Sequence, residues 1–175
     1  MDFIVSFNRV ILATYTLPMP TACAIAGHAT GGGNIIALAS DLRFMAEGKK
    51  RIGLNEVTLG VPVPYLADLI LRQVVGDRPA TEMLFGGELM SADQALRIGL
   101  VDAVVPEPDL EQSAIQKVAA LAAHPPSGFT EIKANLVESV RYLYERKGME
   151  KDKKFVQCWF LPEVQDLLKK AAEKF

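Results

Sequence analysis

The stretch Pro20-Thr21-Ala22-Cys23-Ala24-Ile25-Ala26-Gly27-His28-Ala29-Thr30-Gly31-Gly32-Gly33 decides the architecture. Thr21 to Ala26 is a short apolar run with the pattern of a strand, bounded by Pro18 and Pro20 before it and by glycine after it. Gly27 to Gly33 then forms a turn, Asn34 to Ser40 is apolar enough for a buried helix, and Leu42 to Ala46 resumes as a strand. Strand, glycine turn, helix and strand in that order indicate an α/β core. Upstream, Phe3, Ile4, Phe7, Val10, Ile11 and Thr14 recur at helical spacing, so Phe3 to Tyr15 predicts a core-facing helix.

Downstream, Glu47 to Lys50 is a charged turn, Arg51 to Asn55 reads as short and extended, and Glu56 falls in the loop beyond it. Tyr65 to Val75 has the helical period and ends at Gly76, a left-handed cap, with Pro79 placed for the first turn of another helix. Ser91 and Gln94 form a capping box for a helix ending at Gly99, and Val101 to Val105 reads as a strand. Beyond Pro106 the pattern is helical: Pro108 to Ala123, Phe129 to Arg146 and Pro162 to Lys174, with the aromatic Phe155 to Phe160 between the last two. The division is therefore an α/β core over residues 1–106 and a helical portion over 107–175.

The 175 residues are 50% hydrophobic and 23% charged, with a formal net charge of -2, a globular composition without the basic footprint of a nucleic-acid binder. Cys23 and Cys158 form no metal-ligand or disulfide pattern, and the longest apolar stretches are broken well short of a membrane span. No nucleic-acid or membrane partner is expected, and the expected location is cytoplasmic. The terminal Glu173-Lys174-Phe175 is not a peroxisomal S-K-L signal.

Two features could carry chemistry. A glycine run opening a helix leaves backbone N–H groups at the positive end of the helix dipole, suited to an anion or a developing oxyanion; a plain flexible turn has the same sequence. It lacks the endings of a phosphate loop or a dinucleotide fingerprint. Glu56 stands in Ile52-Gly53-Leu54-Asn55-Glu56-Val57-Thr58-Leu59-Gly60, where burial would raise its pKa towards that of a general base; an exposed loop glutamate is the other reading. His28 and His124 read as structural. Tyr142, Tyr144 and the Phe155 to Phe160 aromatics read as core or subunit interface, and Lys169, Lys170 and Lys174 as a solvated helix face.

Taken together, the Pro20 to Gly33 stretch, Asp41-Leu42-Arg43, Ile52-Gly53-Leu54-Asn55-Glu56 and the later Ala92 to Pro106 closely resemble the crotonase superfamily, the enoyl-CoA hydratases and isomerases. The resemblance implies a crotonase-like spiral of ββα units, incomplete at the N-terminus, followed by a helical C-terminal trimerisation portion. In that family two backbone N–H groups hold a thioester oxygen; Gly32 matches the donor from the glycine run, and Glu56 matches a proton-moving glutamate. Where hydratases carry a second glutamate, two places after the last glycine of the run, this chain has Ile35. Where they carry a glycine-rich loop, it has Val61-Pro62-Val63-Pro64-Tyr65.

Those departures resemble the branch that includes the mitochondrial 3,2-trans-enoyl-CoA isomerases. The resemblance thus implies an isomerase of 3-enoyl-CoA, with Glu56 as the single proton shuttle, Ile35, Pro64 and Tyr65 as walls against the acyl group, and no cofactor beyond the coenzyme A of the substrate. A homotrimer, or a hexamer of paired trimers, is implied as well. The family's other oxyanion donor lies in a segment resembling F-S-A-G-x-D that normally precedes what is here residue 1. That departure leaves a second reading, a catalytically silent acyl-CoA-binding or assembly protein.

Overall fold

In a computed structural model, which describes residues 1–173, the opening stretch becomes strand β1 (Ala22–Ile25), strand β2 (Ala29–Thr30) and helix α2 (Gly32–Leu38), preceded by helix α1 (Asp2–Tyr15). Strand β3 (Leu42–Ala46) returns parallel to β1, pairing Ala22 with Leu42 and Ile25 with Met45. Strand β6 (Ala103–Val105) adds to the far edge of β3, so one sheet runs β1-β3-β6, all parallel. Strand β6 is shorter than the expected Val101 to Val105. The Leu100 and Val101 amides donate back to the Ala95 carbonyl at 2.8 and 3.4 Å, which holds those two residues in the turn after helix α5 (Ala92–Arg97). The capping box of Ser91 and Gln94 at the start of α5 is present in full.

A second sheet runs β2-β4-β5, where β4 is Arg51–Gly53 and β5 is Met90–Ser91. Its β2 and β4 pair in parallel through Ala29 with Ile52 and Thr30 with Gly53. A 3-10 turn, Glu56–Leu59, follows β4, so Glu56 opens a helical turn where a loop was expected. Helix α3 (Tyr65–Val75) agrees with the sequence period, and α4 (Asp77–Gly86) follows it.

The remaining helices are α6 (Leu110–Ala122), α7 (Pro126–Trp159) and α8 (Pro162–Ala172). Helix α7 corrects the sequence expectation: it does not end at Arg146 but continues through the aromatic segment to Trp159. Its charged middle supports the helix through i,i+4 pairs such as Lys154 Nζ to Glu150 Oε1 at 2.7 Å. Lys174, expected as the end of the last helix, lies outside the described residues. No described helix is long and apolar enough to cross a membrane.

The main core joins Ile11, Ile35, Leu38, Met45, Ile52, Leu54, Leu66, Ile70, Leu71 and Leu100 with Val137 and Val140 of α7. Each such side chain contributes roughly 1.5–3 kcal/mol when removed from water. Helix α1 meets it through part of the expected face, with Ile4 and Ile11 buried and Phe7 packed against the core. Its buried row is Ile4, Asn8, Ile11 and Tyr15, while Phe3 and Val10 are 81% and 62% exposed. An apolar pattern discounts Asn8, which is buried because a carboxylate on α7 meets it.

Two ion pairs lock the strand ends. Lys133 of α7, 3% exposed, pairs with Asp41, whose other oxygen accepts from the Thr21 amide at 2.9 Å and hydroxyl at 2.8 Å. Arg43 reaches Asp102 at 3.2 Å and donates to the Leu100 and Ser40 carbonyls at 2.7 and 2.6 Å.

Gly53 is the tightest point of the second sheet, because a Cβ there would lie 2.9 Å from the Glu88 carbonyl oxygen and 3.0 Å from Leu89 Cδ2. Backbone cannot swing aside as a flexible side chain can. Gly53→Ala is therefore expected to destabilise the protein by about 1–3 kcal/mol, as overpacking does, measured as a lower midpoint in urea with an unchanged slope.

Candidate active site

The β2–β4 pairing sets the end of the glycine run beside the end of β4. Gly31 adopts φ +50°, a conformation open to glycine at little cost, and its N–H donates to the Gly53 carbonyl at 3.2 Å. Helix α2 starts immediately afterwards. The first amide to find a partner one helical turn back is that of Ile35, which donates to the Gly31 carbonyl at 3.0 Å. The N–H groups of Gly32, Gly33 and Asn34 precede that bond and have no intrahelical acceptor.

Glu56 arrives from the other strand. A Cβ on Gly31 would lie 3.6 Å from Glu56 Oε1, so the carboxylate rests against the turn that opens α2. The residue is 9% exposed, and its buried Oε2 has no hydrogen-bond partner among the described residues. Burial penalises the charged form and pushes the Glu56 carboxyl above its usual range, a backbone hydrogen bond opposing the shift in part. Such a group gives up and takes back a proton more readily near neutral pH than an exposed glutamate does.

A cavity of about 430 Å³ opens onto this corner. Gly31, Gly32, Ile35, Asn55, Glu56, Val61 and Pro64 line one part of it; α1 and the end of α7 supply Phe3, Ile4, Phe7, Phe155, Val156 and Trp159. Glu56 is the only titratable side chain among the described lining residues. An apolar chamber with one carboxylate, its Oε2 unpartnered, and the free Gly32 amide can hold an apolar group, bind a developing oxyanion and move a proton.

Of the residues expected at the site, Glu56, Gly32, Ile35 and Pro64 all line this cavity. Tyr65 does not: its ring lies outside, with Lys151 Nζ 5.4 Å from the centroid, because α3 begins there and turns the side chain towards α7. His28 is exposed and its Nδ1 accepts the Arg51 amide at 3.1 Å, a fastening of the turn; His124 is exposed after α6. Tyr142 is exposed beside Arg146, whereas the Tyr144 hydroxyl donates to Asp152 at 2.8 Å, and burial, reinforced by that bond, pushes its pKa up. The aromatic wall from α1 and α7 was missed in sequence, because each ring occupies a helical position indistinguishable from ordinary core.

The sequence profile of the enoyl-CoA hydratase/isomerase family matches residues 3–172. The chain belongs to that family. Within it, the chain is 36% identical over 98 residues to enoyl-CoA delta isomerase 3 of Arabidopsis thaliana, an alignment covering 55% of this chain and 41% of that protein. The crystal structure of human mitochondrial delta3-delta2-enoyl-CoA isomerase superposes with a TM-score of 0.91 at 28% identity, covering 96% of this chain and 66% of that one. The carnitinyl-CoA hydratase of Mycobacterium avium gives 0.79 at 27% identity, over 90% of this chain and 61% of that one. The chain thus has the crotonase α/β fold with its helical C-terminal portion and spans less than two-thirds of these relatives.

The buried carboxyl has a consequence for stability. Its pKa is raised on folding, so the folded state binds the proton more tightly, and stability falls as pH rises from the unfolded carboxyl's range through the raised folded value. Glu56→Gln removes that penalty. The variant is expected to melt above the parent at neutral pH, with the gap closing on acidification, as followed by thermal denaturation across pH.

Proposed function

We propose that this chain carries the proton-transfer site of an enoyl-CoA isomerase, which shifts a double bond from carbon 3 to carbon 2 of an acyl-CoA. The observation that carries the reading is the single carboxylate in an apolar chamber, one of its oxygens unpartnered, with Ile35 where a hydratase would place a second glutamate. Glu56 takes a proton from carbon 2, breaking that C–H bond, and the electron pair spreads over a dienolate ending on the thioester oxygen. The Gly32 N–H stabilises that oxygen as one donor of an oxyanion hole. The protonated Glu56 then delivers the same proton to carbon 4, leaving the double bond between carbons 2 and 3. Atoms and charge balance with no water, metal or redox cofactor consumed.

Hydration is disfavoured by the same wall. Adding water across the double bond needs a second group to hold and orient it, and Ile35 offers neither donor nor acceptor. The likeness to the Arabidopsis and human isomerases supports this reading over the hydratase one, and acyl-CoA is accordingly the proposed substrate.

The test is conversion of trans-3-hexenoyl-CoA. Glu56→Gln is expected to lose about 10²–10⁴ in kcat, the range for a positioned acid–base group, and an undiminished rate would refute the assignment. Gly32→Pro tests the amide position. Proline is tolerated at the first position of a helix, and a Cβ there meets only Phe7 Cζ, at 3.9 Å; the ring removes the N–H and sets its Cδ where the hydrogen pointed, so both the donor and the room for the oxyanion are lost. A fall of about 10²–10³ in kcat with an unchanged melting temperature is expected.

A further inference from the structure

Two helices supply the aromatic walls of the cavity. Phe3 and Phe7 of α1 stack with centroids 6.1 Å apart, and Phe155 and Trp159 of α7 stack at 5.8 Å. One turn before Phe155 and Val156 sits Asp152, 2% exposed. Its Oδ1 accepts from Asn8 Nδ2 of α1 at 3.0 Å and its Oδ2 from the Tyr144 hydroxyl at 2.8 Å. Asn8, adjacent to Phe7, is fully buried. A carboxylate buried against two neutral donors gains little stability over an apolar pair of equal volume. It does impose a fixed distance and direction between the two helices.

The path to Asp152 is cleared by a glycine. Tyr144, Gly148 and Asp152 follow one another at four-residue spacing along one face of α7, and a Cβ on Gly148 would lie 2.7 Å from Tyr144 Cε2. Only the bare glycine lets the tyrosine ring lie along the helix and bring its hydroxyl to the carboxylate. Three residues of α7 and one of α1 thus form a clamp beside the cavity, and none of the four lines it.

We infer that Asp152, held by Asn8 and Tyr144, is a positioning residue that sets the spacing of the α1 and α7 walls and so the length of acyl chain the cavity accepts. This rests on reading the site as one for acyl thioesters. The clamp itself is a feature of the fold, so the two are separable by experiment.

Trp159 is the protein's single tryptophan and lines the cavity, so its emission reports on the wall without any ligand. In Tyr144→Phe, and more strongly in Gly148→Ala, acrylamide quenching of Trp159 is expected to rise while far-UV circular dichroism stays that of the parent. Binding of hexanoyl-CoA and dodecanoyl-CoA, saturated thioesters that cannot turn over, is then measured by calorimetry. The ratio of their Kd values is expected to change by about fivefold or more in both variants. Quenching identical to the parent, or equal weakening of both thioesters, would overturn the positioning role and leave only a structural one. If neither thioester bound the parent protein, the acyl-thioester reading would fall, and with it the chain-length claim, while the quenching result would still decide whether the clamp sets the wall.

Discussion

The site depends on a parallel ladder of two residue pairs, Ala29 with Ile52 and Thr30 with Gly53. It brings together segments more than twenty residues apart in sequence, one ending in the glycine run and the other in Glu56. A short ladder is weak by itself. It is held by the Gly31 to Gly53 hydrogen bond, by burial of Ile52 and Leu54, and by the close approach of the Glu88 backbone to Gly53. Gly31 then turns the chain at positive φ so that α2 starts with its free amides next to the carboxylate.

What that arrangement gains in chemistry it loses in stability. Glu56 is buried with one oxygen unpartnered, and the apolar walls that raise its pKa offer that oxygen no donor. The surrounding structure supplies the compensation: a continuous core from α1 through α3 to α7, and the Lys133–Asp41 and Arg43–Asp102 pairs that fix the ends of β1 and β3. An orphaned group at a functional site, held there by a well-packed surrounding core, is the pattern expected when reactivity is held against stability.

The parts of this structure readable from sequence are those encoded locally. Leu42 to Ala46 and Tyr65 to Val75 have the periods of the strand and helix they form, and Ser91 with Gln94 specifies a capping box that is present. The glycine run and Glu56 were visible as residue types that need a reason to be where they are. Distant partners were not readable. Asn8 breaks the apolar row of α1 and looks like a solvent-facing residue until Asp152, 144 positions later, is brought to it. Asp152 itself lies in the run Glu150-Lys151-Asp152-Lys153-Lys154, which by composition is an exposed charged face. The length of α7 escaped for a related reason: charged residues and Gly148 in its middle mimic a helix end, while the packing that carries the helix through is tertiary.

The proposed step is the transfer of one proton between two carbons by a single carboxylate in an apolar chamber. Incubating the protein with a 3-enoyl-CoA carrying deuterium at carbon 2, in ordinary water, tests it directly by mass spectrometry of the product. The expected product is a 2-enoyl-CoA with a substantial share of the label at carbon 4, carried there by Glu56. A product with all transferred label lost to solvent, or a 3-hydroxyacyl-CoA in place of the 2-enoyl thioester, would contradict it.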